Sequence, residues 1–304
     1  MVIMKLDVRI ASLTLKNPIM LASGIVGTTP SMLTRAYRAG ASAVVTKSIT
    51  VNPREGYPNP VIVELRYGLL NAIGLANPGV ENYLSECIEN RRTLAKIPLI
   101  FSIAGSKVED YVNVAKLISE GSVGKALELN LSCPHVRETK LFSEDPRLTA
   151  QVVKAVCDVS LLPVFVKIGL TTNFIEVAEA AIKHGASAIT AINSIKAMAI
   201  DISAKRPVLS SIYGGLSGPA IKPIALRVVY ELYENFDIPI IGVGGITVWQ
   251  DVVEFMMAGA TAAQVGTALY KRGFKVFREL VKGLRSYMEK EGLKDVKDLI
   301  GIAH

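Results

Sequence analysis

The chain has 304 residues, half of them hydrophobic, with 34 basic and 27 acidic side chains and a net charge of +7. That length and apolar content suffice for one large core, and an α/β barrel fits without a second domain, so residues 1–304 are expected to form one. The basic excess is scattered, with no long basic run and no aromatic interleaving, which argues against nucleic acid and leaves an anionic ligand as its simplest use.

The three cysteines, Cys87, Cys133 and Cys157, show no CxxC spacing. They cannot by themselves hold an iron–sulfur cluster, no metal site is expected, and a reducing cytoplasm fits. Residues 1–10 alternate and carry charges, so they read as neither signal peptide nor membrane helix, and no later apolar run spans a bilayer.

In chain order, residues 7–10 and 12–15 predict a small β-hairpin, suited to plug the closed end of the domain. A buried strand over 18–21 ends at Ala22-Ser23-Gly24, and a helix over 31–38 stops at Gly40. The strand 43–46 ends at Lys47-Ser48. The connection 49–93 is rich in Pro, Gly and Asn, and connections of such length are usually functional. Then strand 99–104 pairs with helix 108–120, strand 126–131 with helix 147–159, and strand 164–168 with helix 174–184. Strand 188–192 ends at Asn193-Ser194 and opens a second long loop, 195–219. Helix 221–235, strand 238–243, helix 249–258, strand 262–265 and helix 271–289 complete the chain. Eight strand–helix units with near-continuous aliphatic strands predict a (β/α)8 barrel, with its site at the C-terminal strand ends. An open doubly wound sheet is the rival architecture. It does not account for phosphate-type glycines after both of the last two strands.

The fourth strand runs into Asn130-Leu131-Ser132-Cys133-Pro134-His135, where Pro134 forbids continuation of the ladder. A thiol at such a turn, titrating near ~8.5 when free, needs only a small shift to serve as a base. Alone, Cys133 reads as well as a small apolar residue. Lys47 and Lys167 also fall at strand ends, where an unpaired ammonium is costly, so Lys167 is paired with an anion or serves as a Schiff-base amine. Two lysines beside Asn130 and Asn193 suit a planar, polar, anionic ligand. Gly244-Gly245 and Gly266-Thr267 come directly after the last two strands and offer bare backbone N–H groups where this fold binds phosphate.

Taken with the loop Asn71-Ala72-Ile73-Gly74-Leu75-Ala76-Asn77-Pro78-Gly79 and with Gly215-Leu216-Ser217-Gly218-Pro219, these residues resemble class 1 dihydroorotate dehydrogenases, over about residues 6–270. The loop is more similar to the NAD-linked B subtype than to the fumarate-using A subtype. Ser102 stands where the B subtype more often has Asn, and His135 where the family usually has Asn.

The resemblance implies FMN, with its phosphate on Gly218, Gly244, Gly245, Gly266 and Thr267, and with Ser23, Lys47, Ser48, Asn130, Lys167 and Ile192 completing the cofactor site. It implies Lys47, Asn71, Ala72, Ile73, Gly74, Leu75, Asn130, Asn193 and Ser194 for dihydroorotate or orotate. Cys133 is implied as the base that removes the C5 proton while hydride passes from C6 to flavin N5. It further implies a homodimer and an electron-transfer partner subunit carrying FAD and a [2Fe-2S] cluster. Alternatives are a flavoenzyme acting on uracil or thymine like a dihydropyrimidine dehydrogenase, a Schiff-base aldolase using Lys167, and a non-catalytic phosphate-binding module.

Overall fold

The computed structural model describes residues 4–131 and 142–304. Eight parallel strands close into a barrel: Ile19–Leu21, Val44–Val45, Leu99–Ile103, Ala126–Asn130, Val164–Ile168, Ala188–Ala191, Ile240–Val243 and Ala262–Val265. The eighth pairs with the first, Gln264 opposite Met20, so no edge is left open. These strands are buried on both faces, which is why they read as near-continuous apolar runs rather than as alternating ones.

The helices between them are amphipathic and capped by local chemistry. In Pro30–Arg38, Leu33 and Ala36 face the barrel while Pro30 occupies the first turn, where its missing N–H costs nothing. In Pro146–Cys157, Asp145 caps the start by accepting from the Arg147 N–H at 2.8 Å. The hairpin Val8–Ile10 and Leu13–Leu15 lies at the N-terminal end of the barrel, as its place in the sequence predicts. Ser12 of its turn and Leu13 and Thr14 of its second strand share a cleft with Pro98 and Lys125, which precede the third and fourth strands.

The two long connections are not plain loops. The first holds the hairpin Ile62–Leu65 and Gly68–Asn71 and the helices Val80–Glu89 and Arg91–Leu94. The second holds Ile195–Ala197, a short hairpin of Ile200–Asp201 and Arg206–Pro207, and Gly214–Ser217. Gly214–Ser217 pairs antiparallel with both Ile195–Ala197 and Gly68–Asn71, so the two excursions form one four-stranded sheet over the C-terminal mouth. Close approach explains its glycines. A Cβ on Gly68 would lie 2.1 Å from the Ser217 carbonyl oxygen, and one on Gly215 would lie 2.1 Å from Ser194 Oγ. The last helix also differs from expectation: it is two helices, Ala268–Arg272 and Lys275–Glu291, broken at Gly273 with φ +60°.

Candidate active site

The C-terminal strand ends are tied together by polar side chains. Ser48, after the second strand, hydrogen-bonds Ser102 of the third at 2.9 Å. Asn130, closing the fourth, donates to Ser48 Oγ at 3.1 Å. Asn193, after the sixth, donates to Asn130 Oδ1 at 3.0 Å and accepts from the Ser194 N–H at 2.9 Å. Ser23 donates to the Thr46 carbonyl at 2.7 Å, joining the first strand to the second. Ser48 and Ser102 are buried, whereas Asn130 and Asn193 are half-buried and so keep a face toward the mouth.

Lys167 rises from the fifth strand opposite Asn130 on one side and Thr190 on the other. It is 6% exposed. Among the described residues none of the ion pairs involves it. Lys47 is half-buried between Thr46 and Ser48, its backbone N–H held by the Gly27 carbonyl at 3.1 Å. Ile192 is buried beside Val243, whose carbonyl takes its N–H at 2.9 Å.

The sheet over the mouth brings the remaining ring-binding candidates to this floor. Asn71 donates to the Gly215 carbonyl at 3.1 Å, and Gly215 packs directly on Ser194. The turn after Asn71, through Ala72, Ile73, Gly74 and Leu75, carries Gly74 at φ +72° and Leu75 at φ +58°. Such a backbone is strained for leucine and is imposed from outside. Asn77 imposes it. Its side chain is buried, donates to the Leu75 carbonyl at 2.7 Å and to Thr50 Oγ1 at 2.8 Å, and accepts from Gly79 N–H at 2.9 Å and Thr50 N–H at 3.2 Å. Sequence reading passed over Asn77. Its place before Pro78-Gly79, with an Asx-type turn bond to Gly79, was the available signal.

At the other side of the mouth, Gly218, Gly245 and Thr267 converge. A Cβ on Gly245 would stand 3.0 Å from the Gly218 carbonyl, and one on Gly218 would stand 3.4 Å from Thr267 Cγ2. Thr267 Oγ1 donates to Ser217 Oγ at 2.8 Å. Gly218, Gly244 and Gly245 have φ of +103°, +136° and +75°. Among the described residues, no backbone carbonyl takes the N–H groups of Gly244, Gly245, Gly266 or Thr267. This is a cradle of free donors without intervening side chains, suited to a phosphate.

A buried acid clamps that cradle. Asp251 Oδ2 accepts from Thr247 N–H at 2.7 Å, Thr247 Oγ1 at 3.0 Å and Val248 N–H at 2.9 Å, while Oδ1 meets Lys222 Nζ at 2.8 Å. Lys222 also meets Glu254 at 2.8 Å, and its backbone packs against Gly245. Burial disfavours the Asp251 carboxylate, but Lys222 and the Val248 and Thr247 N–H groups outweigh it and hold its pKa below the usual range. Burial likewise disfavours the Lys222 ammonium, yet Asp251 and Glu254 raise its pKa. Because the folded Asp251 pKa is depressed, the clamp's stability is present above the ordinary carboxylate pKa of ~3.9 and is lost as pH falls through the folded value. Asp251→Asn is expected to lose about 2 kcal/mol of stability at neutral pH, because a charged hydrogen-bond acceptor is lost while Lys222 keeps Glu254. Thermal melts at neutral pH check this.

The chemistry of this mouth is now defined. Hydrogen-bonding side chains and one buried cation gather at the strand ends, together with backbone N–H groups that no backbone carbonyl takes. A model of the family "Dihydroorotate dehydrogenase" matches residues 5–288. The chain belongs to the dihydroorotate dehydrogenase family. It is 51% identical, over 98% of its length and 99% of the relative's, to the "Dihydroorotate dehydrogenase B (NAD(+)), catalytic subunit" of Pyrococcus abyssi. Relatives of the same name are 48% identical in Thermococcus kodakarensis, over 100% and 99% of the two chains, and 44% identical in Methanocaldococcus jannaschii, over 98% of each. Dihydroorotate dehydrogenases are flavin-dependent oxidoreductases, and these relatives are named as catalytic subunits.

In this member of the dihydroorotate dehydrogenase family, Cys133 and His135 lie outside the described residues, as does Ser132. The other two cysteines are poor alternatives as bases. Burial, reinforced by Glu86, pushes the Cys87 thiol up to about 12, and burial with Asp158 pushes Cys157 up to about 11. Among the described residues no helix is long and apolar enough to cross a membrane.

Proposed function

We propose that this chain, as a single barrel domain, binds FMN and oxidises dihydroorotate to orotate in pyrimidine biosynthesis, in a reducing cytoplasm. The observation that carries the cofactor is the cradle of Gly218, Gly244, Gly245, Gly266 and Thr267 beside the buried cation of Lys167. Free N–H groups suit the phosphate, and Lys167 suits the edge of the isoalloxazine where negative charge grows. Ser23, Ser48, Asn130 and Ile192 frame the ring between them. When bound, FMN supplies the acceptor for the hydride that leaves C6 of dihydroorotate.

The chain's own residues do the rest. Lys47 and the backbone of Gly74 and Leu75 hold the substrate carboxylate. Asn71, Asn130, Asn193 and Ser194 hold the ring amides, with Ala72 and Ile73 completing the wall. Asn193 donates to Asn130, Asn130 to Ser48, and Asn71 to the Gly215 carbonyl, so these three amides are set before the ligand arrives, which lowers the ordering cost of binding. Cys133 takes the C5 proton, so the C5=C6 double bond forms with one proton on sulfur and one hydride transferred.

Lys47 favours a carboxylated substrate over plain uracil or thymine. The purified protein should be yellow, release FMN on denaturation, and turn over dihydroorotate but not dihydrouracil. Release of FAD, or folded protein that takes up no flavin, would contradict the reading.

A homodimer and a partner subunit with FAD and a [2Fe-2S] cluster complete the proposal. The relatives' printed names, catalytic subunits of an NAD-linked enzyme, support the partner. The isolated chain should therefore bleach with dihydroorotate yet form NADH only slowly. Rapid NADH formation by the isolated chain would remove the partner from the scheme.

A further inference from the structure

One polar layer inside the barrel has no part in the reaction as proposed. Glu128, on the fourth strand, is fully buried. Its Oε2 accepts from Thr190 Oγ1 of the sixth strand at 3.0 Å and from Gln264 Nε2 of the eighth at 2.7 Å. Its Oε1 is buried without a hydrogen-bond partner. A carboxylate half-satisfied in a core is costly, so it calls for a compensating charge.

The strand register shows where that charge is. The fifth strand lies between the fourth and the sixth. A Glu128 side chain that bonds Thr190 therefore crosses the inner face of the fifth strand. There Lys167 is the register partner of Thr190, and also of Asn130, two residues beyond Glu128. Partners in register share a face of the sheet. Among the described residues, only three charged side chains are buried: Glu128, Lys167 and Asp251. Asp251 belongs to a helix and is paired with Lys222. Glu128 and Lys167, opposite in sign, are left together inside the barrel.

We propose that Glu128 is the buried counter-charge of Lys167 and a positioning residue that limits how strongly the site favours reduced flavin. This rests on the reading that Lys167 faces FMN. With Glu128 ionised, the barrel interior stays near neutral while the flavin is oxidised, and part of the Lys167 field is spent on the carboxylate. Removing the carboxylate frees that field for the reduced ring.

The test compares the full chain as wild type, Glu128→Gln, Lys167→Met and the double variant. Glu128→Gln loaded with FMN should bind the reduced form about tenfold more tightly relative to the oxidised form, a rise of about 30 mV in the two-electron midpoint. In the flavin-free protein, Glu128→Gln should melt below wild type, and adding Lys167→Met should recover much of the loss. A flavin-loaded Glu128→Gln with the wild-type midpoint overturns the proposal. If Glu128→Gln holds no flavin, the melting cycle decides, and a double variant no more stable than Glu128→Gln overturns it. Wild-type protein that binds no flavin would sink the cofactor reading instead, while the melting cycle still tests the charge pair.

Discussion

Cys133→Ser is expected to slow anaerobic reduction of the bound flavin by dihydroorotate about 10²–10⁴-fold near pH 7, with orotate affinity nearly unchanged. A serine hydroxyl is a far weaker acid than a thiol, so its conjugate base is scarce at that pH. Asn71 is held by the Gly215 carbonyl, and Asn130 and Asn193 by Ser48 and each other, so these bonds do not depend on the thiol. The wild-type rate should rise with pH as a thiol near ~8.5 ionises, and the serine variant should lose that limb. Stopped-flow absorbance against pH reads both effects. An unchanged rate in Cys133→Ser would remove Cys133 from the mechanism. Neither Cys87 nor Cys157 can take over, because burial keeps both thiols protonated at neutral pH.

Lys167→Met carries the second large effect. The methionine fills similar volume in the core but removes the buried cation, which on the proposed reading faces the flavin edge where charge develops. Loss of one preorganised charge partner typically costs 10²–10³ in rate. Flavin reduction should slow by about that factor, and FMN should still bind through the glycine cradle, though less tightly. A Schiff-base role would behave differently: borohydride would trap a substrate adduct on wild-type protein and not on Lys167→Met. Trapping of such an adduct would favour the aldolase alternative over the flavoenzyme.

Much of the barrel was legible because its strands are buried on both faces. Runs such as those around Val164–Ile168 and Leu99–Ile103 are mostly large apolar side chains, and glycines follow shortly after their C-terminal ends. The polar residues at those ends stand out for the same reason, since a polar residue closing an apolar run has few structural uses, and this marks them as candidates. The sheet over the mouth was hidden. Gly68, Gly214 and Gly215 have low strand propensity, and their pairing depends on a close approach between segments far apart in sequence. Asn77 and Asp251 were passed over because their work is in bonds to backbone groups, which leave no periodic trace. Glu128 sat unremarked in the middle of a strand. Only the register, which carries its carboxylate across to Thr190, shows that it shares the barrel with Lys167.

The break at Gly273 was missed for a simpler reason. The apolar positions of the last two helices continue nearly in phase across it, and periodicity alone cannot see a single residue at φ +60°.

The most direct test of the account is an anaerobic titration of the purified, flavin-loaded chain with dihydroorotate, monitored by its visible absorbance. The flavin band should bleach with about one dihydroorotate consumed per FMN, the stoichiometry of a two-electron transfer, and orotate should appear in equal amount. A flavin band that stays unchanged with excess dihydroorotate, in protein that dithionite bleaches readily, would contradict it.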